Sequence, residues 1–441
     1  VSDIKVLLVR PKFVSIVAKL EPLGMEYVSG MLKGLDIPCD IHDEFHMSRF
    51  LRYKRLKERV ISGGYSHVGF HVNANTVDYC LETAARLKKE IPHVKIMVGG
   101  PEAELNYKDF CQDNIDYIFY ENGLISVERV FRSGFDHEVM KEATGIGYKD
   151  IHGRWILNEK GPPVCKYHVK PDRSHFYKTI KSNFIMGKGS FAVAKASFSC
   201  PYRCSFCYCT KMNSGLYTEM DLDLVIEDIK AINHQRIWFV DDDFLVNKER
   251  VLEFCKRVKE NGIKKQFMIY GRADNVVKCK DALSTLYDAG VRDVLVGLEA
   301  INDDFLEDYN KETTKKVNEE AIKELRENKI VCNGLFVVSH NSTRQDFKDL
   351  IKFIKHNRLL WVVFGIFTPY KGSDAYEEYN QRLVKFRSKR LDGIHITIKP
   401  KHMTSFMFLL RFYMLYVKTY SKLYIRIFRK NAYDTKNNKW W

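Results

Sequence analysis

The chain has 441 residues, 45% of them hydrophobic and 29% charged, enough for two or three domains with substantial cores and ordinary for a globular protein. Its formal charge of +15 is uneven: residues 401–441 hold nine Lys or Arg against one acid, Asp434, and the rest is only mildly basic. A basic surface over the whole molecule is thereby excluded, and a nucleic-acid partner is not expected.

The first apolar run, residues 4–9, reads as a strand and not as a signal peptide, because it is short and no small-residue cleavage site follows. Strand patterns recur at 39–42, 67–72, 95–98 and 115–119, with helical stretches such as 76–91 between them. This order predicts an α/β fold whose first domain, residues 1–131, is a doubly wound, Rossmann-like parallel sheet that takes ligands at the carboxyl ends of its strands. No G-x-G-x-x-G follows the first strand, so a dinucleotide is not expected. Glycines stand instead in Pro22-Leu23-Gly24-Met25-Glu26-Tyr27, which opens the first helix, in Val98-Gly99-Gly100-Pro101 after the fourth strand, and in Glu121-Asn122-Gly123-Leu124 after the fifth. They either make tight turns or let the backbone approach a large ligand closely. Residues 132–190 read as a linker with a hairpin turning at His152-Gly153.

From residue 191 the alternation resumes through six units, with strands near 191–199, 237–242, 267–272, 293–299, 334–339 and 362–370. Six parallel units predict an incomplete (β/α)6 barrel of TIM type over residues 191–376, functional at its strand carboxyl ends. The first of these strands runs into Cys200-Pro201-Tyr202-Arg203-Cys204-Ser205-Phe206-Cys207. Its C-x3-C-x2-C spacing, with at most about 3.5 Å of reach per residue, can bring three thiolates to three corners of a 4Fe–4S cube and leave one iron without a protein ligand. An open iron can bind and reduce a small molecule, so the motif points to catalysis. A structural zinc needs four ligands; Cys209 is a cramped fourth, and no C-x2-C or His pair is offered elsewhere. Polar residues end the other strands as well: Asp241-Asp242-Asp243, Arg272 with Asp274, Glu299, and Ser339-His340-Asn341. They need partners there, either a ligand or one another.

With Phe206 just before the third cysteine, the triad resembles the signature of the radical S-adenosylmethionine superfamily. The three glycine loops ahead of it resemble the cobalamin-binding domain of class B members of that superfamily, and Thr368-Pro369-Tyr370-Lys371-Gly372-Ser373 is similar to the stretch that ends their core, with Lys371 in place of a proline. The resemblance spans residues 4 to about 376. It implies a 4Fe–4S cluster on Cys200, Cys204 and Cys207, and S-adenosylmethionine against Phe206, Asp242, Arg272, Glu299 and Ser339, with Arg272 facing the carboxylate. It also implies cobalamin against Arg10, Pro11, Gly24, His71, Asn73, Gly99, Gly100, Glu121 and Gly123. The D-x-H-x-x-G motif by which many cobalamin proteins supply an axial histidine is absent after the first strand, where the loop reads Arg10-Pro11-Lys12-Phe13. The enzymes resembled place another residue below the cobalt, from the loop after the third strand. Here His71 or Asn73 is the candidate, against the plainer reading of a packed, hydrogen-bonded histidine.

The resemblance further implies a radical methyltransferase acting on an unactivated carbon of an unknown small-molecule substrate, which the open mouth of an incomplete barrel allows to be large or apolar, through a 5′-deoxyadenosyl radical and methylcobalamin, with an electron donor such as flavodoxin or ferredoxin. Two alternatives stay open: a cyclase or rearrangement enzyme with the same cofactors and no methyl transfer, and an inactive cobalamin- or RNA-binding regulator. The remaining cysteines (Cys39, Cys80, Cys111, Cys165, Cys209, Cys255, Cys279 and Cys332) are scattered and read mostly as buried free thiols, which with the cluster suits a reducing compartment, the cytoplasm. Residues 377–441 read as a basic, aromatic-rich helical region whose apolar run is broken by Arg411 and falls short of the roughly 20 residues of a membrane span. Its plain reading is a helix packed across the barrel mouth; the sharper ones are peripheral contact with anionic headgroups, or an apolar wall for a lipid or tetrapyrrole substrate.

Overall fold

The computed structural model describes residues 3–12, 18–45, 47–121, 123–185 and 187–429, with side chains as far as residue 421. Seven strands make the first sheet: β1 Val6–Arg10, β2 Cys39–Asp43, β3 His67–His71, β4 Lys95–Gly99, β5 Tyr117–Phe119, β6 Ile146–Lys149 and β7 Trp155–Leu157. Their order is β2-β1-β3-β4-β5-β6-β7, with β1 to β5 parallel. Strand β1 is buried along its whole length, as its unbroken apolar run requires of a central parallel strand covered on both faces. The order reverses between β1 and β3, so the crevice at their carboxyl ends is where such a sheet takes a ligand.

The hairpin expected within a linker is instead the far edge of this sheet. Strand β6 pairs antiparallel with β5 through Tyr117↔Tyr148 and Phe119↔Ile146. Ile146 and Tyr148 bury against Val130 and Met140, contacts a free hairpin, marginal by itself, would lack.

The second sheet runs β8 Ala192–Ala194, β9 Arg236–Phe239, β10 Gln266–Arg272, β11 Val291–Glu299, β12 Val331–Val338 and β13 Trp361–Ile366, in sequence order and all parallel. Side chains alternate. Ile237, Phe267, Ile269 and Val294 join the helices in the outer core, while Trp238, Met268, Leu295 and Trp361 pack together in the interior.

Six strands leave β13 with an open edge, and the long helix Ser405–Arg429 covers it. Tyr416 Oη donates to Phe364 O at 2.8 Å and accepts from Phe364 N at 3.1 Å, and Tyr420 Oη does the same for Val362 at 2.6 and 2.9 Å. Four helical residues rise about 6 Å and two strand residues about 6.6 Å, so tyrosines four apart meet alternate residues of the strand. The helix thus stands in for a seventh strand and removes an exposed edge. Phe408, Phe412 and Leu415 seat it on the outer core. It lies along the edge and contributes nothing to the lining of the cavity described below, in place of the expected packing across the mouth. Lys422, Arg426 and Arg429 belong to this helix, but their side chains and all of Lys430 lie outside the described residues. Among the described residues no helix is long and apolar enough to cross a membrane.

A buried clamp joins the two domains. Arg173, within Lys170-Pro171-Asp172-Arg173-Ser174, donates to Glu21 of the first-helix loop, to Val193 O at 2.8 Å on β8, and to Asp228 at 2.9 Å. Glu21 in turn accepts Val193 N–H at 2.6 Å.

Candidate active site between two sets of strand ends

The carboxyl ends of β3 and β4 meet those of β8 and β9 around a cavity of about 420 Å³. Part of it is an apolar slot in which Val6, Leu8, Gly69 and Met97 on the sheet oppose Val28 and Leu32 of the first helix, Leu23–Gly34, and Val127 and Phe131 of the helix Ile125–Arg132. The barrel supplies Lys195, Ser199, Tyr208, Cys209, Met212 and Asp242.

On the first-domain side the loops after β3 and β4 are locked together: Val72 N–H donates to Gly99 O at 2.8 Å, and Glu102 N–H to Val72 O at 3.1 Å. Gly100 has φ +103°, and a Cβ there would stand 2.9 Å from His71 Nδ1 and 3.0 Å from Val72 O. Only glycine lets this loop press on the imidazole. Burial, and then the charge of Arg10, hold the His71 pKa down to about 4, so the ring is neutral at pH 7. Glu121 is steered by Gly161 N–H at 2.9 Å. Of the residues expected against cobalamin, Gly24, His71, Gly99, Gly100, Glu121 and Gly123 line the cavity; Asn122 lies outside the described residues.

Arg10, Pro11 and Asn73 do not line it. The Arg10 guanidinium is spent on Leu20 O at 2.7 Å and on Asp43 at 3.6 Å, its register partner on β2. Asn73 closes a turn, taking Thr76 N–H at 2.8 Å on its carbonyl and donating its own N–H to Thr76 Oγ1 at 2.9 Å. Of the two candidates for the face below the cobalt, His71 is the one that reaches the cavity.

The cysteine loop is fastened to the barrel by backbone. Ser205 N–H donates to Tyr309 O at 2.9 Å, Asn310 Nδ2 to Arg203 O at 2.7 Å, and Ala375 N–H to Ser205 O at 2.8 Å. Phe206 meets Tyr309 edge-on at 5.4 Å. Burial pushes the Cys200 thiol up to about 12 and raises Cys204, against which Lys311 and Arg272 act. The Cys209 thiol donates to Cys207, holding Cys207 down and itself up. Outside the triad, Cys39, Cys80, Cys255, Cys279 and Cys332 are buried free thiols as expected, whereas Cys165 is exposed and Cys111 and Cys209 are half-buried.

The strand-end charges divide by use. Asp241 accepts Ala196 N–H at 2.9 Å, and Asp243 accepts Leu245 N–H at 2.8 Å and Asn275 Nδ2 at 2.8 Å, so both are fully buried pins. Asp242 between them is exposed to the cavity. Arg272 stands behind the cysteine loop and does not line the cavity: it donates to Cys204 Sγ at 3.3 Å, to Asp274 at 2.9 Å and to Lys311 O, with its guanidinium 3.9 Å from the Tyr202 ring centre. Glu299 ends β11 at φ +55° after a register shift, and accepts from Lys311 Nζ at 2.8 Å. The Gly297 position is bare because a Cβ would stand 2.5 Å from Glu299 Oε1 and 2.9 Å from Lys311 Nζ. Ser339 is buried and accepts Asn341 N–H at 3.1 Å. Lys311 is the residue that sequence reasoning missed. It follows Tyr309-Asn310 in a loop without a motif, and its only signal is its place shortly after the barrel's fourth strand.

The donor sets fit the three implied groups. Three thiols on one fastened loop, with Arg272 and Lys311 behind them, suit an anionic iron–sulfur cluster. An apolar slot floored by glycine backbone and a neutral imidazole suits a large corrinoid, and the cavity-facing Asp242 carboxylate, with the Cys209 thiol beside it, suits the polar end of S-adenosylmethionine.

Comparison with known proteins agrees. Residues 196–354 match the radical SAM superfamily, and residues 10–130 match the B12 binding domain. The chain is 24% identical over 419 residues to an uncharacterized methyltransferase of Pyrococcus horikoshii, covering 91% of this chain and 89% of that protein. It is 22% identical over 424 residues to an anaerobic magnesium-protoporphyrin IX monomethyl ester cyclase of Cereibacter sphaeroides (91% and 68%). It is 23% identical over 434 residues to a hopanoid C-3 methylase of Methylococcus capsulatus (95% and 80%). The fold is shared with the cobalamin-dependent S-adenosylmethionine radical enzyme OxsB, at TM-score 0.64 and 16% identity over 85% of this chain and 55% of that one. It is shared also with the radical S-adenosylmethionine methyltransferase TsrM of Kitasatospora setae, at TM-score 0.63 and 16% identity over 86% and 78%. Cysteine triad, corrinoid slot and both domain matches together place the chain in the class B, cobalamin-binding family of radical S-adenosylmethionine enzymes.

Proposed function

We propose that the protein is a cobalamin-dependent radical S-adenosylmethionine methyltransferase that methylates an unactivated carbon of a small-molecule substrate. The observation that supports the reading is that one cavity is lined both by the glycine loops of the first sheet and by strand ends of the barrel, where a corrinoid and an adenosyl group would share one substrate. When bound, the cluster with S-adenosylmethionine supplies a carbon radical and cobalamin supplies a methyl group. The chain's own work is positioning. Cys200, Cys204 and Cys207 would hold the cluster, with Arg272 fixing Cys204 and, with Lys311, offsetting negative charge. Asp242 would accept hydrogen bonds from S-adenosylmethionine, His71 and the Gly99-Gly100 backbone would hold the lower side of the corrin, and the apolar slot would exclude water. An electron donor such as flavodoxin or ferredoxin is required, and a reducing cytoplasm suits the cluster and the free thiols.

The test is anaerobic. The reconstituted protein should retain one cluster and one cobalamin per chain, and with labelled S-adenosylmethionine a substrate should gain one methylene unit in mass. Cys204→Ser should lose the cluster while keeping the corrinoid. Loss of both would mean that the two sites are not separable as described. The cyclase among the relatives favours one second reading, the same cofactors without methyl transfer, and a product with no added methylene would select it.

A further inference from the structure

The helix Ser405–Arg429 turns Phe408, Phe412 and Leu415 inward, yet it is not polar on the other side. Phe406, Leu410, Tyr413 and Val417 are 74%, 46%, 44% and 54% exposed. At 100° per residue these four fall within an arc of about 60°, an apolar stripe on the side away from the barrel, in which only Tyr413 turns its hydroxyl back, to Ile394 O at 3.3 Å. Arg411, half-buried, and Lys418, exposed, follow one another seven residues apart, about 100° further round. The whole segment from residue 401 carries nine Lys or Arg against one acid. An apolar stripe of this kind on a stable helix marks a contact surface.

The occupant is chosen by charge. A second copy of the chain would bring an equally cationic segment against this one, which is unfavourable. An anionic bilayer offers acyl chains to the stripe and phosphate headgroups to the lysines and arginines. We propose that this face docks the protein on an anionic membrane surface, with the helix lying in the interfacial plane. The contact is peripheral, because no described helix is long and apolar enough to cross. It also has a direction. Lys401 N–H donates to His340 O at 3.0 Å, so the helix starts beside the loop that ends β12, and it then runs antiparallel to β13, with Tyr416 at Phe364 and Tyr420 at Val362. Phe406, the most exposed of the four, therefore sits at the end of the barrel that carries the cysteine loop. This docking does not depend on the methyl-transfer reading.

The experiment is flotation of the full chain with vesicles of phosphatidylcholine, with and without phosphatidylglycerol, at low and high salt. The expected result is about tenfold more protein on the anionic vesicles at low salt, reversed by high salt. Phe406→Ser with Val417→Ser should lower that fraction about tenfold at unchanged thermal midpoint, and Lys418→Glu should lower it on anionic vesicles alone. Three results would overturn the proposal. One is no binding to anionic vesicles; another is binding that falls with Lys418→Glu and is untouched by the serines, which would reduce the contact to charge. The third is a dimer in solution that the serines dissolve without any vesicle binding, which would reassign the stripe to a subunit interface.

Discussion

The first-domain wall of the cavity and the charged rim that backs the cysteine loop are built from unlike materials. The first-domain wall is backbone and apolar surface: Gly99 and Gly100 under a neutral His71, with Leu8, Met97 and Phe131 behind. The rim behind the cysteine loop, outside the cavity lining, concentrates charge: Arg272 holds Asp274 and Lys311 O beside Cys204, and Lys311 holds Glu299. A wall of the first kind recognises a large ligand by shape, and its weak points are steric. The second kind tolerates buried charges only because each has a partner, and its weak points are electrostatic and larger.

Lys311→Met should therefore do the most damage. It strands Glu299, 9% exposed, without its partner and removes one cation from beside Cys204. The expected loss is about 3–5 kcal/mol of stability in anaerobic urea unfolding. Lys311→Arg should recover part of it. A loss under about 1 kcal/mol would mean that the pair is not what holds the rim.

Electrostatic cost is not confined to the barrel, and Glu44 measures it in the first domain. This fully buried carboxyl, just past β2, accepts Tyr79 Oη at 2.7 Å, and burial pushes its pKa up to about 7. Because the folded value lies above the unfolded one, the folded state holds a proton that the unfolded chain has released between about pH 4.5 and 7. The cost of burial is absent below that window, grows through it, and is complete above it. Glu44→Gln should thus stabilise by up to about 3 kcal/mol at pH 8 and hardly at all at pH 4. An equal gain at both values would trace it to packing and not to ionisation.

What the sequence disclosed follows the range of the interactions. The cysteine triad was legible because its ligands lie within one loop, and the strand-end charges because alternation of strand and helix sets which end is functional. The function of each charge was not, since it depends on partners distant in sequence. Asp241 and Asp243 are pins while Asp242 faces the cavity, a distinction made by Ala196, Leu245 and Asn275. Arg10 sits at a functional strand end, but its register partner Asp43 draws it from the cavity. The clamp of Arg173 on Glu21 spans 152 residues, and no local pattern announces it. Tyrosines four apart in the terminal helix were visible, and the strand edge they serve was not.

On the steric wall the neighbouring glycines make an internal control. Gly100→Ala forces a Cβ into φ +103° and against His71 Nδ1 at 2.9 Å, whereas a Cβ at Gly99 meets only ordinary contact, 3.6 Å from Phe119 O. With ψ −178° this is a backbone region occupied almost only by glycine, and the strain alone costs about 1–3 kcal/mol. Gly100→Ala should lower retention of added cobalamin about tenfold and the Gly99→Ala variant should retain it, a tenfold change corresponding to about 1.4 kcal/mol. Equal losses would mean that the whole loop, and not its contact with His71, matters.

The smallest effect tests the edge of the barrel, where neither the wall nor the rim takes part. Tyr416→Phe and Tyr420→Phe keep the rings and remove only the hydroxyls that pair with Phe364 and Val362. Leaving a buried backbone donor and acceptor unmet costs about 1–2 kcal/mol, less where water can replace the hydroxyl. Tyr420 is 9% exposed and Tyr416 only half-buried, so Tyr420→Phe should cost the fuller amount and Tyr416→Phe about half of it. If the double variant also associates at high concentration, the tyrosines guard the edge of β13 against pairing with other chains; if it stays monomeric, apolar packing of Phe408, Phe412 and Leu415 is sufficient cover.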